Sequence, residues 1–459
     1  MNATIALFTI ARPTFDVPLA QSVATAAKAL LEGAGHMVAG PGDALLMDGS
    51  AAQEAANALL RRGGGSSRID LIVILQASFA DSGMAVEITE TLHALGVPLL
   101  LWALPEARSG GRLRLNSFCG INLAGHALSR RGLAYEYLLQ PADAPEALHK
   151  LEQAARVGRS LHLLRRTRIG LVGDHPPGFD TCDYDVGHLQ ALFGADVAHI
   201  PLENVLRAAA ATSPAERRVF LEQAARLVDN LGELDADATA GTAGVYSVLR
   251  RVAEEENLAG LAVRCWPEFF TELGCAACGA MSMLTEEGRP AACEADVNGA
   301  LMSVLLQTLS ESAAFLADLV SMDAESDSGV FWHCGLAPVS MADPDAPISG
   351  TVHSNRKLPF LFEFPLKPGR ITIARLHRRG QEAGPGDYQL VIGGGEMVRA
   401  PKSFGGTSGV VRFDRPVPQV LDTIMDHGLE HHFNITYGDV QDELRMFARW
   451  AGLPVLELT

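Results

Sequence analysis

Thr167-Arg168-Ile169-Gly170-Leu171-Val172-Gly173 is a short apolar run, entered from a basic helical segment over residues 148–166 and left through His175-Pro176-Pro177-Gly178-Phe179. A run this short, closed by glycine and proline, reads as a strand and its loop. A helix over 186–193 and a strand over 196–201 follow it. Strand, loop, helix, strand is the start of an α/β unit.

Working outward from this run, the preceding residues show the same alternation. Residues 3–10 are apolar and β-rich, and 19–33 form an alanine-rich helical stretch ending at glycine. Residues 69–75 and 98–103 read as buried parallel strands, with a helix over 85–95 between them. Continuous apolar strands between helices imply a sheet covered on both faces. Downstream, helical stretches over 208–234 and 243–257 lead to a buried strand at 260–265 and a long apolar helix over 298–316. Beyond about residue 325 proline and glycine become frequent and short β-rich segments appear at 370–376, 388–392 and 409–413. That change of texture predicts a small antiparallel barrel or sandwich, closed by a helix over 440–451 and a strand over 454–458. The expected architecture is α/β: two tandem Rossmann-like or flavodoxin-like domains, 1–165 and 166–325, followed by an antiparallel β-barrel domain, 326–459.

Length and composition agree with several domains. The chain has 459 residues, 48% apolar and 20% charged, a globular balance too long for one ordinary core. A formal charge of −17 argues against a broad phosphate-binding surface, so no nucleic-acid partner is expected. The seven cysteines are an odd, scattered set that suits a reducing compartment. The N-terminus lacks a basic start, and no apolar run approaches the ~20 residues that span a bilayer. A cytoplasmic protein with no membrane association is expected.

Three segments concentrate polar groups where strands end or helices begin. Val263-Arg264-Cys265-Trp266-Pro267-Glu268 delivers a carboxylate at the C-terminal edge of a buried strand, where open α/β sheets bind ligands. Cys293-Glu294-Ala295-Asp296-Val297-Asn298-Gly299-Ala300 sets carboxylates at the start of the apolar helix. Gly428-Leu429-Glu430-His431-His432-Phe433-Asn434 carries paired histidines. Taken singly, Asp296 is as readily a helix N-cap, Glu268 a surface carboxylate, and the histidine pair a packed or surface feature. Taken together, two carboxylates and one imidazole suit Mn²⁺ or Mg²⁺ better than structural zinc. His333 and His353 are further candidates. Cys275-Ala276-Ala277-Cys278 lacks a matching second pair and reads as buried thiols before it reads as zinc. Gly393-Gly394-Gly395-Glu396 lacks the lysine-serine or lysine-threonine ending of a phosphate loop and reads as a turn. The glycine-serine run 63–67 reads as a surface loop.

The order of these segments resembles the L-fucose isomerase and L-arabinose isomerase superfamily nearly end to end. Ala11-Arg12-Pro13-Thr14-Phe15-Asp16 resembles its first loop, and Arg264-Cys265-Trp266-Pro267-Glu268 its first metal-carboxylate strand. The stretch from Glu294 to Ala300 is similar to the part carrying the second carboxylate. His431-His432, with Tyr437-Gly438-Asp439 beyond, resembles the histidine-ligand segment. The resemblance implies a metal-dependent aldose–ketose isomerase working through a cis-enediol. It implies Glu268 and Asp296 as metal ligands and acid/base pair, with His432 completing the ligand set around Mn²⁺ or another divalent ion such as Mg²⁺ or Co²⁺. His333, His431 and Trp266 would line the sugar pocket. Arg12 and Gln76 would reach it from a neighbouring subunit of a homotrimer or homohexamer. The chain is shorter than typical L-fucose isomerases, so that family's sugar preference does not carry over. A metal-dependent lyase or epimerase on a related or sulfonated sugar, and a non-catalytic sugar-binding protein, are the alternatives.

Overall fold

The computed structural model describes residues 2–62, 68–380 and 387–459. The glycine-serine run 63–67 lies outside them. The chain divides into two compact units, Met1–Leu163 with Arg449–Ala451, and Leu164–Ala448 with Gly452–Thr459.

The first unit is built on β1 (Thr4–Ile10), β2 (Met37–Ala39), β3 (Leu45–Leu46), β4 (Leu71–Gln76), β5 (Leu99–Ala103) and β6 (Glu136–Leu139). They form a parallel sheet in the order β2-β1-β4-β5-β6, with β3 also paired to β1. Every residue of β4 and β5 is buried, as their unbroken apolar runs require. Helix Val17–Gly33 starts at Asp16, whose carboxylate accepts the Leu19 amide, and buries Ala20, Ala24, Ala27 and Leu31 along one stripe.

The second unit opens with the run that decided the α/β reading. It is β7 (Arg168–Val172), central with β8 (Asp196–Ile200), β9 (Gly260–Val263) and β10 (Ala291–Ala292) in a parallel sheet ordered β10-β9-β7-β8. The helical stretch read over 208–234 is two helices, Leu202–Ala210 and Pro214–Leu227, separated by Ser213, which caps the second through a capping box with Glu216.

The rest of the unit is a mixed nine-stranded sheet. Its strands are β11 (Ala314–Asp323), β12 (Ser328–His333), β13 (Ser349–Thr351), β14 (Leu361–Pro365), β15 (Gly369–Arg378), β16 (Tyr388–Val398), β17 (Thr407–Phe413), β18 (His432–Tyr437) and β19 (Val455–Glu457). The order is β13-β14-β17-β12-β11-β18-β15-β16-β19, and β16 also pairs with β17. One apolar core joins Val172 and Val263 of the parallel sheet to Phe331, Phe362, Ile373 and Ile435 of the mixed sheet. Residue 325, expected as a domain boundary, lies in the turn between β11 and β12, inside this unit. The chain is thus mixed α/β, with two parallel sheets and one large mixed sheet.

Two local expectations are corrected. The helix read over 298–316 spans Val297–Ser310, because Glu311 takes a left-handed φ of 55° and ends it; the chain resumes as β11. Apolar character continues across the break, so composition hid the change from helix to strand. The glycine triplet 393–395 is the middle of β16, not a turn. A Cβ on Gly395 would lie 2.5 Å from the Arg412 carbonyl of β17, so this glycine allows close backbone approach, while Gly393 and Gly394 make room for side chains of Thr459, Gln441 and Asp414.

Candidate active site

The site is assembled by strand register. In the β11–β18 ladder Asp318 stands directly opposite His432, and on the other side of β11 it faces Trp332 of β12. Residues opposite each other on antiparallel strands bring their side chains together, and the His432 Nε2 lies 3.4 Å from Asp318 Oδ1. Glu294 reaches the same nitrogen from the segment between β10 and helix Val297–Ser310, with Oε2 3.7 Å from it. Glu294 and Ala295 both adopt left-handed backbone angles, φ 57° and 60°. Two successive non-glycine residues in that region cost of order 1–3 kcal/mol each, a strain that concentrates at functional sites.

The other ring nitrogen of His432 is anchored. Nδ1 lies 3.0 Å from Asp296 Oδ2, which also accepts from Arg375 Nη1 at 2.6 Å, while Oδ1 accepts the Gly299 amide at 2.8 Å. Asp296 therefore caps the helix, holds His432 and neutralises Arg375 with the same carboxylate. Asp296 and Arg375 are both fully buried. Burial opposes ionisation of Asp296, but the Arg375 guanidinium and the His432 contact outweigh it and hold the acid well below its ordinary range. Arg375 also approaches Glu430, which binds His377 Nδ1 at 3.0 Å.

Glu294 is held by two further contacts. Trp266 Nε1 donates to Oε1 at 3.0 Å, and His431 Nε2 lies 3.3 Å from Oε2. Burial pushes this acid up, yet the His431 hydrogen bond, the nearby His432 and the Trp266 N–H bring it below its usual value. Beyond His432, the His333 ring stacks at 6.3 Å. Burial lowers the basicity of His333, but Cys334, Asp318 and Glu294 raise it to about 9. Two overlapping groups among the described residues have donor atoms close enough to hold a metal ion: Asp318, His333 and His432, and Cys182, Glu294 and His432. Both contain His432. Asp318 Oδ1 is buried and has no hydrogen-bond donor.

Of the residues singled out in the sequence, the structure brings together Asp296, His432, His431, His333 and Trp266. Glu268 is elsewhere: Arg264 grips both its oxygens, each 3.0 Å from Nε, and the pair lines a separate cavity of about 370 Å³ with Asp174, His199 and Glu203. Asp296 has both oxygens committed to internal partners and is the N-cap that its position allowed. Arg12 and Gln76 belong to the first unit, where Arg12 pairs with Asp81 at 2.6 Å and buried Gln76 accepts the Ala80 amide. Cys278 faces Cys334 with its sulfur at 3.2 Å, and Cys265 faces Cys293 at 2.9 Å, all four buried. Sequence reasoning missed Asp318 because the helix was carried through 316. It passed over Glu294 in favour of its neighbour two residues on. The polar Asp318 in an otherwise apolar 314–319 run was the signal for the first. Arg375 carried none.

Residues 6–165 match the family model for the N-terminal domain of fucose/sulfoquinovose isomerases. A sulfoquinovose isomerase of Alkalicoccus urumqiensis is 36% identical over 395 residues, 86% of this chain and 87% of the relative. One of Priestia aryabhattai is 31% identical over 453 residues, 98% of each. One of Clostridium sp. (strain MSTE9) is 32% identical over 384 residues, covering 82% of this chain and 84% of the relative.

Proposed function

The chain belongs to the fucose isomerase-like superfamily and is an aldose–ketose isomerase, and from that premise we propose that it converts sulfoquinovose, a sulfonated hexose, into the corresponding ketose at a divalent metal held by Glu294, Asp318 and His432. The observation that carries the metal assignment is the convergence of both carboxylates on His432 Nε2 while Asp296 holds Nδ1. A carboxylate behind a histidine fixes its tautomer and aims its free nitrogen, as metal sites require. The buried, donorless Asp318 Oδ1 fits the same role, since a buried carboxylate oxygen left without a donor is costly unless a cation meets it. The set is oxygen-rich with one imidazole, which suits manganese. When bound, such an ion acts as a Lewis acid on the carbonyl and hydroxyl oxygens of the sugar.

The protein's own groups then have distinct tasks. Glu294, ionised and held by Trp266 and His431, is the base that takes the proton from C2 of the open-chain aldose and returns it to C1 of the resulting cis-enediolate, while the O2 hydroxyl proton passes to O1. Asp318 stands across from it as the second carboxylate. His333, whose Nδ1 accepts the Cys334 backbone N–H, turns Nε2 towards the sugar oxygens. Asp296 and Arg375 orient His432. In this reading the enzyme is cytoplasmic and trimeric or hexameric, and Arg12 serves the pocket from a neighbouring subunit, whereas Gln76 is fully buried within the first unit and does not.

The test is an NMR isomerisation assay on metal-stripped protein with and without Mn²⁺, using sulfoquinovose, L-fucose and L-arabinose. Ketose forms from sulfoquinovose only with metal. Glu294→Gln and Asp318→Asn each lower kcat at least about 100-fold and weaken Mn²⁺ binding, whereas Glu268→Gln does neither. Full turnover without metal, or an inactive Glu268→Gln beside an active Glu294→Gln, would overturn the assignment.

A further inference from the structure

The loop after β13 carries an arginine with no carboxylate partner among the described residues. The Arg356 guanidinium lies over the Trp266 ring, 4.8 Å from its centroid, and 5.1 Å from that of Phe270. Its face is therefore covered by aromatic surface, while its N–H edges are left to bind something else. Among the described residues the side-chain nitrogen close to an edge is His353 Nε2, 3.4 Å from Nη1.

The His353 tautomer decides what that contact is. His353 is buried, packed edge-on against Phe270. Its Nδ1 faces the backbone N–H groups of Asn355 at 3.2 Å and Arg356 at 3.3 Å, so Nδ1 is an acceptor and the ring proton sits on Nε2. Nε2–H and the Arg356 N–H then point at each other as two donors. Two facing donors are satisfied together only by an acceptor placed between them, and the added positive charge asks for an anion.

Trp266 ties this pair to the reacting groups. The indole whose face carries Arg356 donates its N–H to Glu294 Oε1. Phe179 stands edge-on to the same indole at 5.4 Å and to His431 at 5.9 Å, extending one aromatic wall from the carboxylates towards the guanidinium. A hexose with C1 and C2 at Glu294 and its chain along this wall would carry its far end towards Arg356.

Building on the proposed function, we propose that Arg356 and His353 form the anion subsite of the active site and receive the sulfonate on C6 of the substrate. The guanidinium gives a planar edge to two sulfonate oxygens, and His353 Nε2–H supplies a further donor. Arg356 is thus a specificity residue, separating the sulfonated sugar from its neutral counterpart.

The test compares kcat/KM for sulfoquinovose with that for 6-deoxyglucose, the same sugar without the sulfonate, in wild type, Arg356→Gln and Arg356→Lys. Arg356→Gln lowers the ratio of the two values about 10- to 100-fold, mostly through KM for sulfoquinovose, as expected for lost charged hydrogen bonds. Arg356→Lys restores part of the ratio, since the charge returns without the planar fork. Methanesulfonate inhibits the wild type competitively and Arg356→Gln much less. An equal loss on both sugars, or no change in the ratio, overturns the subsite. A wild type that isomerises 6-deoxyglucose but not sulfoquinovose overturns the substrate reading itself, and that failure is seen before any substitution is made.

Discussion

Asp296 shows how much one carboxylate can be asked to do. Its oxygens accept from the Gly299 amide, from Arg375 and from His432, so both are engaged in a fully buried position. Asp296→Asn keeps the shape but removes the charge and turns one oxygen into a donor facing Arg375. Two consequences are expected. His432 loses its orienting partner, and Mn²⁺ affinity measured by titration calorimetry falls about 10- to 100-fold. Arg375 is left as a buried cation with only the more distant Glu430, and urea denaturation should show a loss of about 3–5 kcal/mol. A variant with unchanged stability would mean that Arg375 finds another counter-charge.

At the scale of the element, the site depends on a ladder and not on a motif. Asp318 and His432 meet because β11 and β18 pair in one register; a slip of one residue would turn Asp318 to the opposite face. The same sheet is held close elsewhere by glycine. Gly395 of β16 lies against the Arg412 carbonyl of β17, and a backbone atom in a ladder cannot retreat as a side chain can. Gly395→Ala should therefore destabilise the second unit by about 1–3 kcal/mol, seen as a lower urea midpoint. A midpoint equal to wild type would show that β16 and β17 separate at little cost.

At the scale of the whole molecule, one contribution to the pH dependence of stability comes from His353. Burial, followed by the charges of Arg356 and His333, lowers the His353 pKa from 6.5 to about 4. The unfolded chain takes up a proton near pH 6.5 that the folded chain refuses until about pH 4. The unfolded state is thus favoured progressively as pH falls through that window, and the stability present above it is lost. Urea midpoints measured at several pH values across the window should fall less steeply for His353→Gln than for wild type. Parallel slopes would mean that His353 is protonated in the folded state. Among the described residues no helix is long and apolar enough to cross a membrane.

Local patterning sufficed for the α/β class, because short apolar runs closed by glycine or proline between helical stretches read as strands. The run Arg168–Val172 is a parallel strand at the centre of its sheet, and helix Val186–Phe193 has the bounds its periodicity predicts. Residue order also brought Asp296, His431, His432 and Trp266 forward as a set, since their types are chemically informative wherever they fall. What the sequence could not decide is which carboxylates face the histidine. Glu268 stands at a strand end that favours ligands, but Arg264, four residues before it, turns it into an ion pair in another cavity. Asp318 is one polar residue in an apolar run, and only the β11–β18 register gives it meaning. Arg375, whose burial is balanced chiefly by Asp296, is 79 residues away from it along the chain. Those pairings are long-range, and long-range electrostatics and strand register are properties of the folded chain alone.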